Sequence, residues 1–246
     1  NIRSCTLIAL LVRRFSTFNK LNLRKFIYVK FKINLLPDLH IVDRYFNAVK
    51  CLNVYNDNDG LDFFINKNKM IDLQTLPDIY HNGYIGFVIG SKHNTKKLPT
   101  HKIIEVCKRL DEPVILLGGR EDYETGEIIK QAVGNKIFNS CGLFDIASSA
   151  SIISQAKKII TNDTGLMHIA AAFKKPILSL WGNTVPEFGM YPYLPQGNFN
   201  SKIMEIKNLK CRPCSKLGYS KCPKTHFKCM EQLPINEIVE WCKFDK

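Results

Sequence analysis

The residues best able to do chemistry are grouped in Asn162-Asp163-Thr164-Gly165. An apolar, strand-like run, Lys158 to Thr161, stops there, and a helical pattern starts at once at Gly165. At such a junction the first helical N–H groups have no intrahelical partner, and the helix dipole places partial positive charge beside them. Thr164 adds a hydroxyl, and Gly165 lets a ligand come close to the backbone. This combination at the carboxyl edge of a parallel sheet holds a phosphate or diphosphate. Asp163 and Thr164 would look the same if they only capped the helix, so both readings stand at this point.

The elements that must position these residues are legible from residue 83 onward. Strand-like runs at Gly83–Ile89, Pro113–Leu117, Lys136–Ser140, Lys158–Thr161 and Pro176–Leu180 alternate with helical patterns. The helical patterns fall at Thr100–Leu110, Asp122–Val133, Asp145–Gln155 and Gly165–Phe173. Strand and helix taking turns at this spacing predict βαβ units and a doubly wound parallel sheet. Before residue 80 the pattern is weaker. Thr6–Val12 reads as a strand or helix segment, and the alternation of Phe26, Tyr28 and Phe31 with Ile27, Val29 and Lys30 predicts a strand. Pro37–Val49 predicts a helix with Asp38 as its N-cap, Asp57–Gly60 a turn, and Leu61–Ile65 a short strand. Asp72–Pro77 reads as a linker, which places a domain boundary near residue 78.

Composition narrows the class. With 45% hydrophobic and 23% charged residues, the chain is neither disordered nor fibrous. Its longest apolar run, Thr6–Val12, is far below the roughly 20 residues of a membrane span. The pair Arg13-Arg14 after that run, with no small-residue cleavage site, argues against a signal peptide. Charge is concentrated: residues 1–50 carry net +8, residues 207–230 carry seven basic residues and no acid, and the whole chain is +13. Two basic patches fit an anionic partner: a phosphorylated substrate, an anionic membrane surface or nucleic acid. No Gly-x4-Gly-Lys-Ser/Thr loop is present, which argues against a kinase or P-loop phosphatase. The nine cysteines lack the even spacing of a secreted disulfide scaffold and fit a reducing cytoplasm. Cys211, Cys214, Cys222 and Cys229, with His226, leave three readings open: a zinc site, redox-sensitive thiols, or a basic loop with incidental cysteines. The C-x6-C spacing of the second pair is looser than a zinc knuckle.

Asp163 to Ala172 (DTGLMHIAAA) resembles the signature of the family 9 glycosyltransferases, the ADP-heptose:lipopolysaccharide heptosyltransferases and their relatives. Three further segments agree. Ser91 to Pro99 resembles the family's loop after the first donor-domain strand, and Leu116-Leu117-Gly118-Gly119 with Asp122 resembles the next strand and its ribose-side loop. Cys211-Arg212-Pro213-Cys214, Cys222-Pro223, His226 and Cys229-Met230 resemble a Cys-rich segment found in many members. The resemblance covers residues 83–246 closely and 1–78 loosely. It implies an α/β fold of the GT-B type, with two Rossmann-like domains facing across a cleft. Residues 1–78 would then be an incomplete acceptor-side domain and residues 79–246 the donor domain. The opening Asn1-Ile2-Arg3-Ser4 is similar to a mid-domain motif of the family, so the chain is expected to be a fragment that lacks the family's Gly-rich acceptor loop and its general-base Asp.

The resemblance also implies roles. Lys96 is expected to neutralise the donor diphosphate as the leaving group departs, with Ser91 hydrogen-bonding the same phosphates. Thr164, Gly165 and Leu166 would hold them at the helix start, with Gly119 lining the site. Asp163 would face sugar hydroxyls or order the loop, and Asp122 would meet the ribose, with Glu121 and Glu124 as rivals. His168, three residues beyond Gly165, falls on the ligand side of the helix or serves the core. The expected reaction is inverting transfer of heptose from an ADP-heptose-like donor to a lipopolysaccharide core or lipid A acceptor, with neither metal nor cofactor. The basic N-terminal stretch would touch the anionic inner membrane from the cytoplasm, and no nucleic acid is expected. A nucleotide-binding module that has lost transfer and a basic nucleic-acid-binding protein are the alternatives.

Overall fold

The structure is a computed structural model and describes residues 16–195 and 201–244. Its centre is a six-stranded parallel sheet of β1 (Ile85–Val88), β2 (Val114–Leu117), β3 (Ile137–Asn139), β4 (Lys158–Asn162), β5 (Ile177–Trp181) and β6 (Ser201–Glu205), in the order β3-β2-β1-β4-β5-β6. Strands β1, β2, β4 and β5 are buried nearly end to end because both faces of the sheet are covered. Side chains alternate between the two faces. Ile85, Phe87 and Ile89 join Val114 and Leu116 in one core, and Tyr84 and Val88 join Ile115 and Leu117 in the other. Helices α3 (Thr100–Arg109), α4 (Tyr123–Val133) and α8 (Ile235–Cys242) cover the first face through Ile103, Val106, Ile129 and Ile238. Helices α5 (Ile146–Gln155) and α6 (Gly165–Ala172) cover the second through Ile152, Ile153, Met167 and Ala170. Every strand and helix predicted between residues 83 and 181 is present. Strand β6 and the short helix α7 (Lys228–Glu231) carry too few apolar residues to read from sequence: only Met204 is buried in β6.

The N-terminal segment differs from its sequence pattern in three places. Residues 22–31 form helix α1 (Asn22–Phe31) rather than a strand. Its inward contacts recur at helical spacing: Lys25 lies 5.5 Å from the Phe188 ring centroid, Tyr28 meets the same ring edge-on at 6.2 Å, and Lys32 follows at the C-cap. Helix α2 (Ile41–Val49) is capped by His40, not Asp38: His40 Nδ1 accepts the Val42 N–H at 3.2 Å. Leu61–Ile65 is irregular rather than a strand: Phe63 and Ile65 pack onto the sheet domain's second core, but the segment pairs with no strand of the sheet. Leu76 and Tyr80 are part of that core, and Gln155 and Ser151 of α5 bind the Ile71 backbone. The Asp57–Gly60 turn is present, with the Asp57 carboxylate accepting the Asp59 N–H. Among the described residues before Ile85 there is no strand. Thr6–Val12 and Arg13-Arg14 lie outside the described residues, and no helix among those described is long and apolar enough to cross a membrane.

Candidate active site at the carboxyl edge of the sheet

The strand order reverses between β1 and β4, so the loops leaving those strands diverge and open a crevice at their carboxyl ends. Asn162, fully buried at the end of β4, fixes that crevice. Its Nδ2 donates to the Val88 and Ile89 carbonyls at 3.2 and 3.3 Å, and its Oδ1 accepts the Leu98 N–H at 3.2 Å. One side chain therefore joins the end of β1, the loop that follows it and the start of the Asp163 turn. Residues 94–96 of that loop form a 3₁₀ turn ending on Lys96.

Lys96 Nζ donates to Asp163 Oδ2 at 2.6 Å, and the Thr184 hydroxyl donates to the same oxygen at 2.7 Å. Both members of the ion pair are mostly shielded, with side chains 16% and 12% exposed, so the bond is charge-assisted and weakly screened. An ammonium has three donors, and the pair uses one of them. His168 lies beside the pair: burial lowers its pKa, Lys96 adds to that and Asp163 opposes it, leaving a neutral imidazole at neutral pH. Neither Asp163 nor Thr164 caps α6, since no side-chain cap bond is made at its N-terminus. The helix-cap reading therefore fails here. Gly165 is exposed, and a Cβ at that position would meet nothing within 4 Å, so internal packing does not require the glycine.

A cleft of about 420 Å³ lies beside this cluster, and Ser91, Gly119, Asp122, Thr164 and Leu166 are on its wall. Five of the residues singled out in the sequence thus share one cleft, and Lys96, Asp163 and His168 share a charged cluster next to Thr164. Asp122 is only 3% exposed, and both its oxygens are engaged internally. Oδ1 accepts from Lys97 Nζ at 2.6 Å, and Oδ2 accepts the Gly119 N–H at 3.0 Å. The Gly118-Gly119 turn is held in this way, with Glu121 the exposed carboxylate on the same wall. Glu124 does not line the cleft. Sequence reading missed Thr184 and the roles of Asn162 and Lys97. Thr184 follows β5 as Thr164 follows β4, so the rule that sites collect at strand carboxyl ends could have found it. A second cleft, about 520 Å³, sets the carboxylates of Asp38, Glu187, Glu205 and Glu237 against Lys202 and Lys207, so its net charge is negative and it suits an anion less well.

The cysteine loop departs from a zinc geometry. Among the described residues no three His, Cys, Asp or Glu side chains gather closely enough to hold a metal ion. His226 Nδ1 accepts the Lys228 N–H at 3.0 Å, so its proton sits on Nε2, the atom 3.9 Å from Cys211 Sγ. In that tautomer Nε2 presents an N–H rather than a lone pair to the sulfur.

A doubly wound parallel sheet with its polar residues collected at the switch point places the chain in the doubly wound α/β class. Residues 17–220 match the family model described as "Glycosyltransferase family 9 (heptosyltransferase)", and the chain belongs to that family. It is 35% identical over 112 residues to lipopolysaccharide heptosyltransferase 2 of Escherichia coli K12, covering 42% of this chain and 32% of that one. It is 32% identical over 142 residues to lipooligosaccharide heptosyltransferase 2 of Haemophilus influenzae, covering 54% and 40%. The solved E. coli ADP-heptose lipopolysaccharide heptosyltransferase II superposes with a TM-score of 0.57 at 22% identity, over 73% of this chain and 51% of that one. The α/β fold of the GT-B type expected from the sequence is thus the fold shared with these enzymes, and the described residues hold one complete Rossmann-like sheet of it. The matched regions span 32% and 40% of the two curated relatives' lengths.

Proposed function

We propose that the cleft at the carboxyl edge of β1, β2 and β4 binds the nucleoside diphosphate of an activated sugar, ADP-heptose by analogy with the relatives. The chain would then be the donor half of an inverting heptosyltransferase that needs no metal. Residues 79–246 form the donor domain in this reading, and residues 1–78 belong to the acceptor side. The observation that carries it is the Lys96–Asp163–Thr184 cluster next to the uncapped N-terminus of α6. An anion there would meet unpaired N–H groups, the Thr164 hydroxyl and a cation already held in place. Departure of the nucleoside diphosphate builds negative charge where these donors are pre-oriented, so they stabilise the transition state without reorganising. Asp163 and Thr184 position the ammonium, Ser91 reaches the phosphates from the opposite wall, and Glu121 takes the ribose hydroxyls, since Asp122 is engaged elsewhere. No described residue is assigned as the base on the acceptor hydroxyl.

The acceptor is a lipopolysaccharide core or lipid A on the cytoplasmic face of the inner membrane. The outer side of α1 supports a peripheral contact, because Leu23, Phe26 and Phe31 are more than half exposed and interleave with Arg24 and Lys30. Calorimetric titration with ADP, UDP, GDP and ADP-heptose tests the donor site. ADP species should bind, and Lys96→Ala should weaken them by roughly tenfold to a hundredfold, the cost of one hydrogen bond to a charged group. Asp163→Ala should weaken binding less, because it removes only the positioning partner. Equal binding by the wild-type chain and Lys96→Ala would sink the assignment, whatever the nucleotide.

A further inference from the structure

Among the described thiols, Cys211 has a histidine nitrogen at its sulfur. It is part-exposed in the segment 207–230, which holds seven basic residues and no acid. His226 Nε2–H faces its sulfur at 3.9 Å, and Lys32 Nζ, reaching over from the end of α1, donates to the Cys211 carbonyl at 3.2 Å and the Pro213 carbonyl at 2.7 Å. Cys214 is three residues on, half-buried, with its thiol donating to the Cys211 carbonyl at 3.0 Å. A thiol flanked by an N–H donor and cations in a partly open setting is the environment of a nucleophilic cysteine, and a second thiol within reach can resolve its adducts.

We infer that Cys211 and Cys214 form a redox-active dithiol that exchanges with low-molecular-weight disulfides, independently of the donor site. The Cys211 thiolate attacks one sulfur of R–S–S–R, forming the mixed disulfide Cys211–S–S–R and releasing RS⁻. Cys214 then gives its proton to solvent and attacks the Cys211 sulfur, closing the Cys211–Cys214 bond and releasing the second RS⁻. Two electrons pass from the protein pair to the small disulfide, which leaves as two thiols. Burial and the neighbouring Cys211 push the Cys214 thiol up to about 11, which suits the resolving rather than the attacking role. Burial also pushes Cys107 and Cys141 up to about 12, so they are inert internal references. Cys51, exposed on the N-terminal segment, is the reference for an accessible thiol without these neighbours.

The test is glutathione disulfide added to the native chain, followed by acid quench, alkylation and peptide mapping. Cys211 and Cys214 fall in one tryptic peptide, since the Arg212-Pro213 bond resists trypsin, and the internal disulfide reads as loss of two hydrogens from it. Cys214→Ser should instead accumulate glutathione on Cys211, and Cys211→Ser should leave Cys214 unmodified. In the reduced chain Cys211 should alkylate about tenfold faster than Cys51, and His226→Ala should remove most of that advantage. Unreacted Cys107 and Cys141 verify that each variant is folded. Equal rates at Cys211 and Cys51, a disulfide to Cys222 in place of Cys214, or stoichiometric metal released on alkylation would each overturn the inference.

Discussion

The sheet domain and the N-terminal segment are built on opposite plans. Between Tyr84 and Trp181 the apolar side chains of the strands and of the helix faces against them fill both sides of the sheet, and the cleft's polar residues collect at one edge. From Thr17 to Asn56 the polar residues make the inward contacts. Lys32 binds carbonyls of the cysteine loop, Arg44 donates to the Phe188 carbonyl at 3.1 Å, and the Tyr193 hydroxyl donates to Asp43 at 2.6 Å. Meanwhile Leu23, Phe26, Phe31 and Ile33 face outward. A region held by burial is non-directional and cooperative, whereas a region held by a few directional bonds can be released one bond at a time.

The largest effect that could break this contrast is a cavity in the sheet. Phe87 in β1 is fully buried, and Phe87→Ala should cost about 3–5 kcal/mol, read as a lower urea midpoint with an unchanged slope. A loss below about 1 kcal/mol would mean that the two regions are not held differently after all.

The same contrast explains what could be read from sequence. Val114 to Leu117 and Lys158 to Thr161 announce themselves because strands covered on both faces must be continuously apolar. The Asn162-Asp163-Thr164-Gly165 turn was legible because a strand and a helix meet there with polar residues between. Its wiring was not: Thr184 reaches Asp163 across 21 positions, and the closure of Lys97 on Asp122 depends on two loops meeting in space. In α1 the alternation of aromatic and branched residues imitated a strand. The contacts that decide the helix are those of Lys25, Tyr28 and Lys32, and nothing local in the sequence marks them.

A smaller effect should separate the regions by pH. His40 donates through Nε2–H to the Tyr191 carbonyl at 2.9 Å while its Nδ1 caps α2, so both nitrogens are committed to the neutral ring. Burial, opposed in part by the Tyr191 bond, pushes its pKa down to about 4 from the ordinary 6.5. The unfolded chain therefore binds a proton at a pH where the folded one does not. The contribution is full above about 6.5 and is lost as pH falls toward 4, on the order of 3 kcal/mol in all. Limited proteolysis between residues 16 and 60 should accelerate over that window while the sheet domain stays resistant. His40→Asn, which keeps an N-cap acceptor, should flatten the difference. An unchanged pH profile in His40→Asn would show that other groups set it.

The smallest effect on stability should come from the outer face of α1, where Phe26 is 54% exposed. An exposed phenyl adds little to folding, so Phe26→Ser should change the unfolding free energy read from urea titration by less than about 0.5 kcal/mol. If this face lies against anionic lipid, the same substitution removes apolar area that enters the interface and leaves the attraction of Arg24 and Lys30 intact. Sedimentation with vesicles containing anionic phospholipid should then show roughly tenfold weaker binding, worth about 1.4 kcal/mol, at unchanged salt dependence. Unchanged binding with an unchanged salt dependence would mean that charge alone carries the contact. A stability loss above about 1 kcal/mol would mean that Phe26 is covered in solution, and the outward-facing description of the N-terminal segment would have to be given up.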